Sequence, residues 1–288
     1  MYYVGASHAG LGIVNAIGSN GLGACIALDL WTSIRLKECN RVVGSIRVRG
    51  RNLLIDREIL DAVIEVVREH ASINLRGICV EGETIIPFRA GLKGSSSLVN
   101  ALIEAIFKMR RKNVDVETLA LLGVEASKKA GITITGALDD HLAVSGCGGY
   151  VTDNRQKKIV NHTPTLEGYV AISVQKEIDI RDTDKARFTE YSKLYRVAWM
   201  LARSSRWWEA AIINGIASSL ALGVEIEQLA KVFSINGVSA IGVSGKSPTV
   251  YIITTHKEAL KKAAMFLKNE VGGQIIVTKL MSCPREGV

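Results

Sequence analysis

The chain has 288 residues, of which 48% are hydrophobic, and it carries a formal net charge of +8. A chain of this length and composition can bury a sizeable core in one or two domains. No segment approaches the run of about 18 apolar residues that spans a membrane, and the N-terminus lacks a basic region followed by an apolar stretch. We therefore expect a cytoplasmic protein without a membrane partner.

The positive charge is compatible with nucleic-acid binding, with an enzyme for anionic substrates or with a basic surface. Basic residues are spread along the chain without a long run, and aromatic residues make up only 6%. We therefore expect no nucleic-acid partner. The five cysteines are scattered and never spaced C-x-x-C. This pattern indicates neither a disulfide framework nor a zinc site, and it predicts small buried residues.

The first half of the chain predicts strands that give way to helices. Strands are expected at Tyr2–Ser7, Gly23–Leu36, Ser45–Val48 and Gly77–Val80. Helices are expected at Arg57–His70, from Ser95 or Ser96 onward, and at 116–129, where Lys128, Lys129 and Gly131 are stop signals. The polar, turn-rich stretch 152–165 predicts a boundary between two domains, 1–160 and 161–288.

The second half predicts a further unit of mixed helices and strands. Its expected strands are Tyr169–Val174, Val238–Val243, Thr249–Thr254 and Gln274–Lys279. Its expected helices are about 184–203, 206–221 and 226–233, with a fourth opened by Thr255 and Glu258 in capping-box spacing.

Glycine and serine crowd together at residues 87–97, PFRAGLKGSSS, directly before an apolar helical pattern. The first N–H groups of a helix have no internal partners, and the helix dipole favours an anion there. A glycine-rich loop at this point lets a phosphate approach the backbone. Ser95, Ser96 and Ser97 could be plain N-caps, but one cap needs one serine. The spacing is not GxxxxGK[ST], which excludes a Walker-type loop.

Two further stretches could carry chemistry. Residues 131–149, GITITGALDDHLAVSGCGG, place Asp139 and Asp140 side by side in a loop rich in glycine and alanine, although aspartate is also common in plain turns. Residues 242–248, GVSGKSP, join two expected strands. Their glycines fit either an ordinary hairpin or a backbone that approaches a triphosphate.

Together the three stretches resemble the GHMP kinase superfamily, which transfers the γ-phosphoryl group of ATP to small alcohols. The family's central motif, P-x-x-x-G-L-G-S-S-A, is matched by Pro87, Gly91, Leu92 and Ser95, with Lys93 and Gly94 as departures. Its C-terminal motif, G-x-S-G-x-G-P, is matched by Gly242, Ser244, Gly245 and Pro248. Near the N-terminus SHAGLGIVNAI, residues 7–17, stands at the first motif, with Asn15 as its asparagine.

Within the superfamily the sequence is similar to the archaeal-type shikimate kinases. Their Gly-Leu-Lys-Ser-Ser-Ser form accounts for Lys93, and their Thr-Gly-Ala-Phe-Asp-Asp form is close to residues 135–140. The resemblance implies ATP-dependent phosphorylation of shikimate in aromatic amino-acid biosynthesis, on the chorismate branch. Homoserine or a mevalonate-like alcohol as the acceptor, and a non-catalytic ligand-binding homologue, remain alternatives. The sequence does not indicate the oligomeric state.

The resemblance also implies an α+β fold. An N-terminal α/β domain with a left-handed βαβ unit would precede a C-terminal ferredoxin-like α/β domain, with ATP between them. The residues implied to bind ATP are Pro87, Gly91, Leu92, Lys93, Gly94, Ser95, Ser96, Ser97 and Gly245. Those implied to bind substrate are Ser7, Asn15, Gly136 and Ser244, and those implied to bind Mg²⁺ are Ser95 and Glu125. Asp139 and Asp140 would be catalytic, with Asp139 facing the acceptor hydroxyl as its general base.

Overall fold

The computed structural model describes residues 1–175, 184–225 and 229–284. In these ranges the strands form one sheet of seven strands and one of four. The first sheet contains β1 (Tyr3–Val14), β2 (Leu22–Glu38), β3 (Val43–Val48), β4 (Arg51–Leu54), β5 (Ile78–Thr84), β6 (Gly149–Asp153) and β7 (Lys158–Thr163). Its order is β4-β3-β5-β2-β6-β7, and β1 pairs with β2. The long strand β2 therefore organises this sheet, because β1, β5 and β6 all pair with it.

Four helices accompany the first sheet: α1 (Arg57–Ala71), α2 (Gly94–Met109), α3 (Val116–Lys129) and α4 (Leu138–Ser145). The parallel strands β3 and β5 are connected through β4 and α1. Helix α2 is buried on most of its surface, as its nearly continuous apolar sequence requires, and it packs against β1 and β2. Its first turn is thereby fixed relative to the sheet.

The second sheet contains β8 (Tyr169–Val174), β9 (Val238–Val243), β10 (Val250–Thr254) and β11 (Gln274–Lys279). Its helices are α5 (Lys185–Thr189), α6 (Ser192–Arg203), α7 (Trp207–Leu222) and α8 (Lys257–Phe266), the last followed by a π-helical segment, Leu267–Val271. The strands are antiparallel in the order β11-β8-β10-β9. The β-α-β-β-α-β succession with this strand order is the ferredoxin-like arrangement.

The structure confirms most of the predicted elements and corrects several. Residues 138–145, expected to be a loop, form α4, and the expected boundary stretch 152–165 includes the end of β6 and all of β7. The expected helix 184–203 is divided into α5 and α6. Of the expected helix 226–233, residues 226–228 lie outside the described residues, and a 3₁₀ helix covers Lys231–Ser234.

The start of α8 also differs from the prediction. Its N-cap is His256, whose ring accepts a hydrogen bond from the Ala259 N–H at 3.2 Å, while Thr255 donates its hydroxyl to the Gly237 carbonyl. An imidazole nitrogen thus replaces the hydroxyl that the capping-box pattern requires. The first sheet ends at Thr163 and the second begins at Tyr169, and the division of the chain at 160/161 stays a prediction.

One hydrophobic cluster joins the two sheets. It combines buried residues of β1 and β2 with residues of β8, β10, α6 and α7, among them Leu11, Ile26, Val170, Trp207 and Tyr251. This shared core brings the loop after β9 (residues 244–248) against the loop before α2. In the described part of the chain, no helix is both long and apolar enough to cross a bilayer.

The cysteines correct a further expectation. Cys39 is disulfide-bonded to Cys79, and Cys147 to Cys283, while Cys25 is free and buried. The paired cysteines lie 40 and 136 residues apart in sequence. Only the folded chain brings them together, so their spacing contained no sign of the pairing.

Candidate active site

Helices α2 and α4 both begin at one cavity of about 620 Å³, called here the first cavity. The predicted site residues that line it are Asn15, Gly91, Lys93, Gly94, Ser95, Ser96, Asp139, Asp140 and Gly245. The loop before α2, the first turn of α4 and the loop after β9, which are far apart in sequence, therefore share one space.

The loop before α2 leaves its helix start open to an anion. Lys93 is the N-cap, in the left-handed region with φ 63°, and no side chain caps the helix. The first-turn N–H groups thus remain available. Gly91 also has a positive φ of 71°, and a Cβ there would collide with the Ser244 carbonyl, so the close approach requires glycine.

Hydrogen bonds fix the loop after β9 beside this helix start. The Ser244 hydroxyl accepts from the Gly12 N–H at 2.9 Å and donates to the Gly91 carbonyl at 2.8 Å. The Asn15 side chain donates to the Gly245 carbonyl at 2.8 Å, and the Asn15 N–H donates to the side chain of Asn214. Ser244 and Asn15 hold the two halves of the protein together at the cavity.

Lys93 and Asp140 form an ion pair within the first cavity. Lys93 Nζ lies 2.9 Å from Asp140 Oδ1, and the two side chains are only 12% and 17% exposed. Burial alone lowers the pKa of Lys93, but the Asp140 charge opposes it and the net pKa lies well above its usual range. Lys93 therefore stays a cation at every physiological pH.

Asp139 lies deeper than Asp140 and is only 3% exposed. Asn154 Nδ2 donates to Asp139 Oδ1 at 2.9 Å, and the carboxylate packs against the backbone of Gly23, where a Cβ would collide with it. Burial, reinforced by the Asp140 charge, raises the pKa of Asp139 to about 7, while Lys93 and Asn154 oppose this rise. A carboxylate with such a pKa can exchange a proton near neutral pH.

Comparison with known proteins identifies the family. The family model described as GHMP kinases N terminal domain matches residues 58–149. A Pyrococcus furiosus protein named shikimate kinase is 34% identical over 261 residues, which cover 90% of this chain and 94% of that protein. The chain belongs to the GHMP kinase family.

Two further proteins support the assignment to the GHMP kinases. An Aeropyrum pernix protein named shikimate kinase is 32% identical, covering 95% of this chain and 97% of its own length. The crystal structure of a Methanococcus jannaschii mevalonate kinase superposes with a TM-score of 0.72 at 13% identity, over 99% of each chain. The fold is therefore the GHMP kinase fold, and this enzyme is a kinase of that family.

Several predicted site residues do not line the first cavity of this GHMP kinase. Ser7 and Ser97 are buried and share a hydrogen bond of 2.6 Å between their hydroxyls, which continues to Thr32. Leu92 lies in the core and Pro87 lines another cavity. The Gly136 N–H donates to the Thr133 hydroxyl at 3.2 Å, and Ser244 contacts the Gly91 carbonyl. These residues therefore lie around the first cavity without lining it.

Glu125, the expected metal ligand, is not among the residues that line the first cavity. Its carboxylate accepts a hydrogen bond of 2.6 Å from Lys157, and this contact lowers the pKa of Glu125. Among the described residues, no group of three or more His, Cys, Asp or Glu side chains forms a metal site.

His141 follows the aspartate pair but faces away from the cavity. Its Nδ1 lies 2.7 Å from Asn100 Oδ1 of α2, and its Nε2 lies 3.0 Å from the Ser127 hydroxyl of α3. Asn100 Nδ2 donates to the His141 carbonyl, which leaves Asn100 Oδ1 as the acceptor. Burial lowers the pKa of His141 to about 3, so the neutral ring anchors α4 to both helices.

A second cavity of about 820 Å³ adjoins the first and shares Asp56, Ile59, Arg89 and Ser95 with it. Its walls include apolar side chains of β3, Phe88 and Leu98, together with Arg49 and Arg51. Neither these residues nor Asp56, Glu58 and Lys246 of the first cavity were expected from the sequence. Asp56 and Glu58 had the appearance of ordinary residues at a helix start, where acidic side chains are common.

Proposed function

We propose that this kinase phosphorylates shikimate to shikimate 3-phosphate with ATP as the donor. The observation that carries the proposal is the similarity, over at least 90% of the chain, to two proteins named shikimate kinase. The buried Asp139 and the Lys93–Asp140 ion pair, both at the first cavity, support a catalytic protein rather than a non-catalytic homologue.

The nucleotide would extend across both cavities. Its phosphates would lie at the open start of α2, where backbone N–H groups of Gly94 to Ser96 and the Lys93 ammonium favour negative charge. The purine and ribose would occupy the second cavity, whose apolar walls and three arginines suit a flat aromatic base. Ser95 lines both cavities, at the junction between base and phosphates.

The oxygen atoms at the first cavity fit Mg²⁺, which takes one or two carboxylates and completes its shell with phosphate oxygens and water. The Ser95 and Ser96 hydroxyls would hold it, and it would neutralise charge on the phosphates when bound. Glu125 could take part only if it left Lys157.

The acceptor would lie between Asn15, Thr135 and Gly245, with its hydroxyl toward Asp139. Phosphoryl transfer requires mainly that donor and acceptor are positioned and that charge is neutralised. Asp139 would orient the hydroxyl and accept its proton, for which a pKa near 7 is suitable. Lys93 would carry positive charge beside the transferred group while its pairing keeps Asp140 in place.

The carboxylate of shikimate would require a cation. Besides Lys93, the cationic side chains that line the first cavity in the described part of the chain are Arg89 and Lys246. A site that pairs with a carboxylate binds an uncharged analogue less well, because the ester cannot form that ion pair. Shikimate methyl ester should accordingly be a poor substrate, and equal turnover of acid and ester would contradict this part of the proposal.

The proposal is tested by the release of ADP from purified protein with ATP and Mg²⁺. The acceptors are shikimate, homoserine, mevalonate and galactose, each at the same concentration. We expect turnover with shikimate and close to background with the others, and mass spectrometry should find one added phosphoryl group on shikimate. If a different acceptor is turned over, that acceptor replaces shikimate as the proposed substrate. If none of the four is turned over, the result contradicts the proposal that the protein is a kinase of one of them.

A further inference from the structure

Asn154, the residue after β6, makes an unusual set of contacts at the first turn of α4. Its Nδ2 donates to Asp139 Oδ1 at 2.9 Å, and its Oδ1 accepts from the Leu138 N–H at 3.0 Å and from the Thr152 hydroxyl at 2.8 Å. Its own N–H donates to the Gly21 carbonyl at 2.8 Å. The side chain is buried, with the residue 4% exposed.

These contacts leave the amide a single orientation. The Leu138 N–H can only donate, so the atom facing it must be the amide oxygen, and the nitrogen must then face Asp139. Helix α4 begins after Ala137, which has a φ of 46° and gives no side-chain cap. The first N–H of α4 is thus satisfied by the residue that follows β6 instead of by a local cap.

We propose that Asn154 is the positioning residue for Asp139, because one amide group fixes both the start of α4 and the direction of the carboxylate that α4 presents to the first cavity. The inference rests on the proposed role of Asp139 as the base, and it adds a residue that acts through Asp139 without touching the substrate. The carboxylate also packs against Gly23, where any side chain would collide with it.

The groups that face Asp139 determine what loss of the amide would do. Asp140 on α4 raises the pKa of Asp139, and Lys93 before α2 and the Asn154 hydrogen bond lower it, while the buried thiol of Cys25 on β2 lies close to both aspartates and Lys93. Without the amide donor the protonated carboxyl becomes more favourable, so the pKa of Asp139 rises. In a plot of kcat against pH, the acid limb, where kcat falls as the pH decreases, should therefore move to higher pH.

The test compares Asn154→Ala and Asn154→Asp with Thr152→Val as the matched control. The control removes a hydrogen bond from the same buried network and leaves the Asn154–Asp139 contact in place. For Asn154→Ala we expect kcat at pH 7 to fall about tenfold and the acid limb to rise by about one pH unit, with KM for ATP unchanged. Asn154→Asp keeps the acceptor oxygen but adds a charge, so its acid limb should move further.

A second measurement needs no substrate. Carbon-13 NMR of aspartate-labelled protein, with the Asp139 signal assigned from Asp139→Asn, should show a higher pKa of Asp139 in Asn154→Ala than in wild type. Identical titration of Asp139 in the two proteins would overturn the inference, as would equal effects in Thr152→Val. If Asp139 shifts as expected but no acceptor of the panel is turned over, the proposed function fails and the positioning role stands.

Discussion

The starts of α2 and α4 use similar backbones for opposite chemistry. Each follows a non-glycine residue in the left-handed region, Lys93 at 63° and Ala137 at 46°, and neither has a side-chain cap from its N-cap residue. The first turn of α2 contains no acidic residue, whereas that of α4 contains Asp139 and Asp140. Both starts reach the first cavity.

The difference lies in what satisfies the first N–H groups. At α4 the Leu138 N–H donates to the Asn154 side chain, and the first turn carries two carboxylates. A further anion is therefore not favoured there. At α2 the N–H groups and Lys93 offer only positive charge. A helix start therefore attracts phosphate only where neighbouring side chains leave it open. The Lys93–Asp140 ion pair connects the two starts across the cavity.

The largest expected effect comes from a substitution in the first turn of α4. Asp139→Asn keeps the shape of the carboxylate but removes its basicity, so kcat should fall by about 10²- to 10⁴-fold with little change in ATP affinity. Steady-state kinetics and calorimetric ATP titration measure the two quantities.

Two variants accompany that measurement. Asp153→Asn, which removes an aspartate paired with Arg155 outside the first cavity, is the control and should keep most of the wild-type kcat. Asp140→Asn is the comparison. Loss of turnover in Asp140→Asn with retention in Asp139→Asn would exchange the two roles, and losses below about tenfold in both would exclude an aspartate base.

The second prediction concerns the Lys93–Asp140 ion pair, which connects the two helix starts. Lys93→Met keeps the aliphatic stem but leaves Asp140 without its cation and the phosphates without a positive neighbour. We expect kcat/KM for ATP to fall about 100-fold, which corresponds to about 2.7 kcal/mol. Lys108→Met, at the exposed far end of α2, is the control and should be close to wild type. A fall of less than about threefold in Lys93→Met would remove the ion pair from the mechanism.

The third prediction concerns the anchor of α4. The folded-state pKa of His141 is lowered to about 3 from 6.5. Between these two pH values, His141 therefore binds a proton in the unfolded chain but not in the folded protein. His141 therefore contributes stability above pH 6.5 that is lost as the pH falls toward 3, by about 1.4 kcal/mol per pH unit. Asp139, whose pKa is raised, has the opposite slope between about pH 4 and 7, and the two effects offset each other in wild type.

Denaturant unfolding of His141→Gln between pH 7.5 and 4.5 separates these contributions. The free energy of unfolding of wild type minus that of the variant should decrease by about 1.4 kcal/mol for each pH unit below 6.5. His70→Gln, an exposed histidine on α1, is the control and should follow wild type. A difference that is constant with pH would mean that the buried ring does not remain neutral.

The smallest expected effect tests whether Glu125 belongs to the site. Glu125→Gln should change kcat and the Mg²⁺ dependence of the rate by less than about twofold, because Glu125 pairs with Lys157 outside the first cavity. Its stability should change by less than about 1 kcal/mol, as for a partly exposed ion pair. An increase of tenfold or more in the Mg²⁺ concentration for half-maximal rate would restore Glu125 as a metal ligand.

Local patterns predicted from sequence what depends on neighbours in the chain. The periodicity of α1 and α3 and the glycine and serine before α2 were sufficient to place these elements and to predict a phosphate site. Helix α4 was missed because it is short and flanked by glycines, and its aspartates are equally typical of turns. Asn154 gave no sequence signal, since its role exists only once β6 lies beside α4.

The Cys147–Cys283 disulfide turns the intervening chain into a covalently closed ring. The ring contains the whole second sheet and the loop after β9, and it closes directly behind α4. A protease that cut this ring at the exposed residues Pro164 and Thr165 would leave both fragments attached to one another. The aspartates of α4 and the glycine loop that faces them would separate only after a reductant had opened the ring.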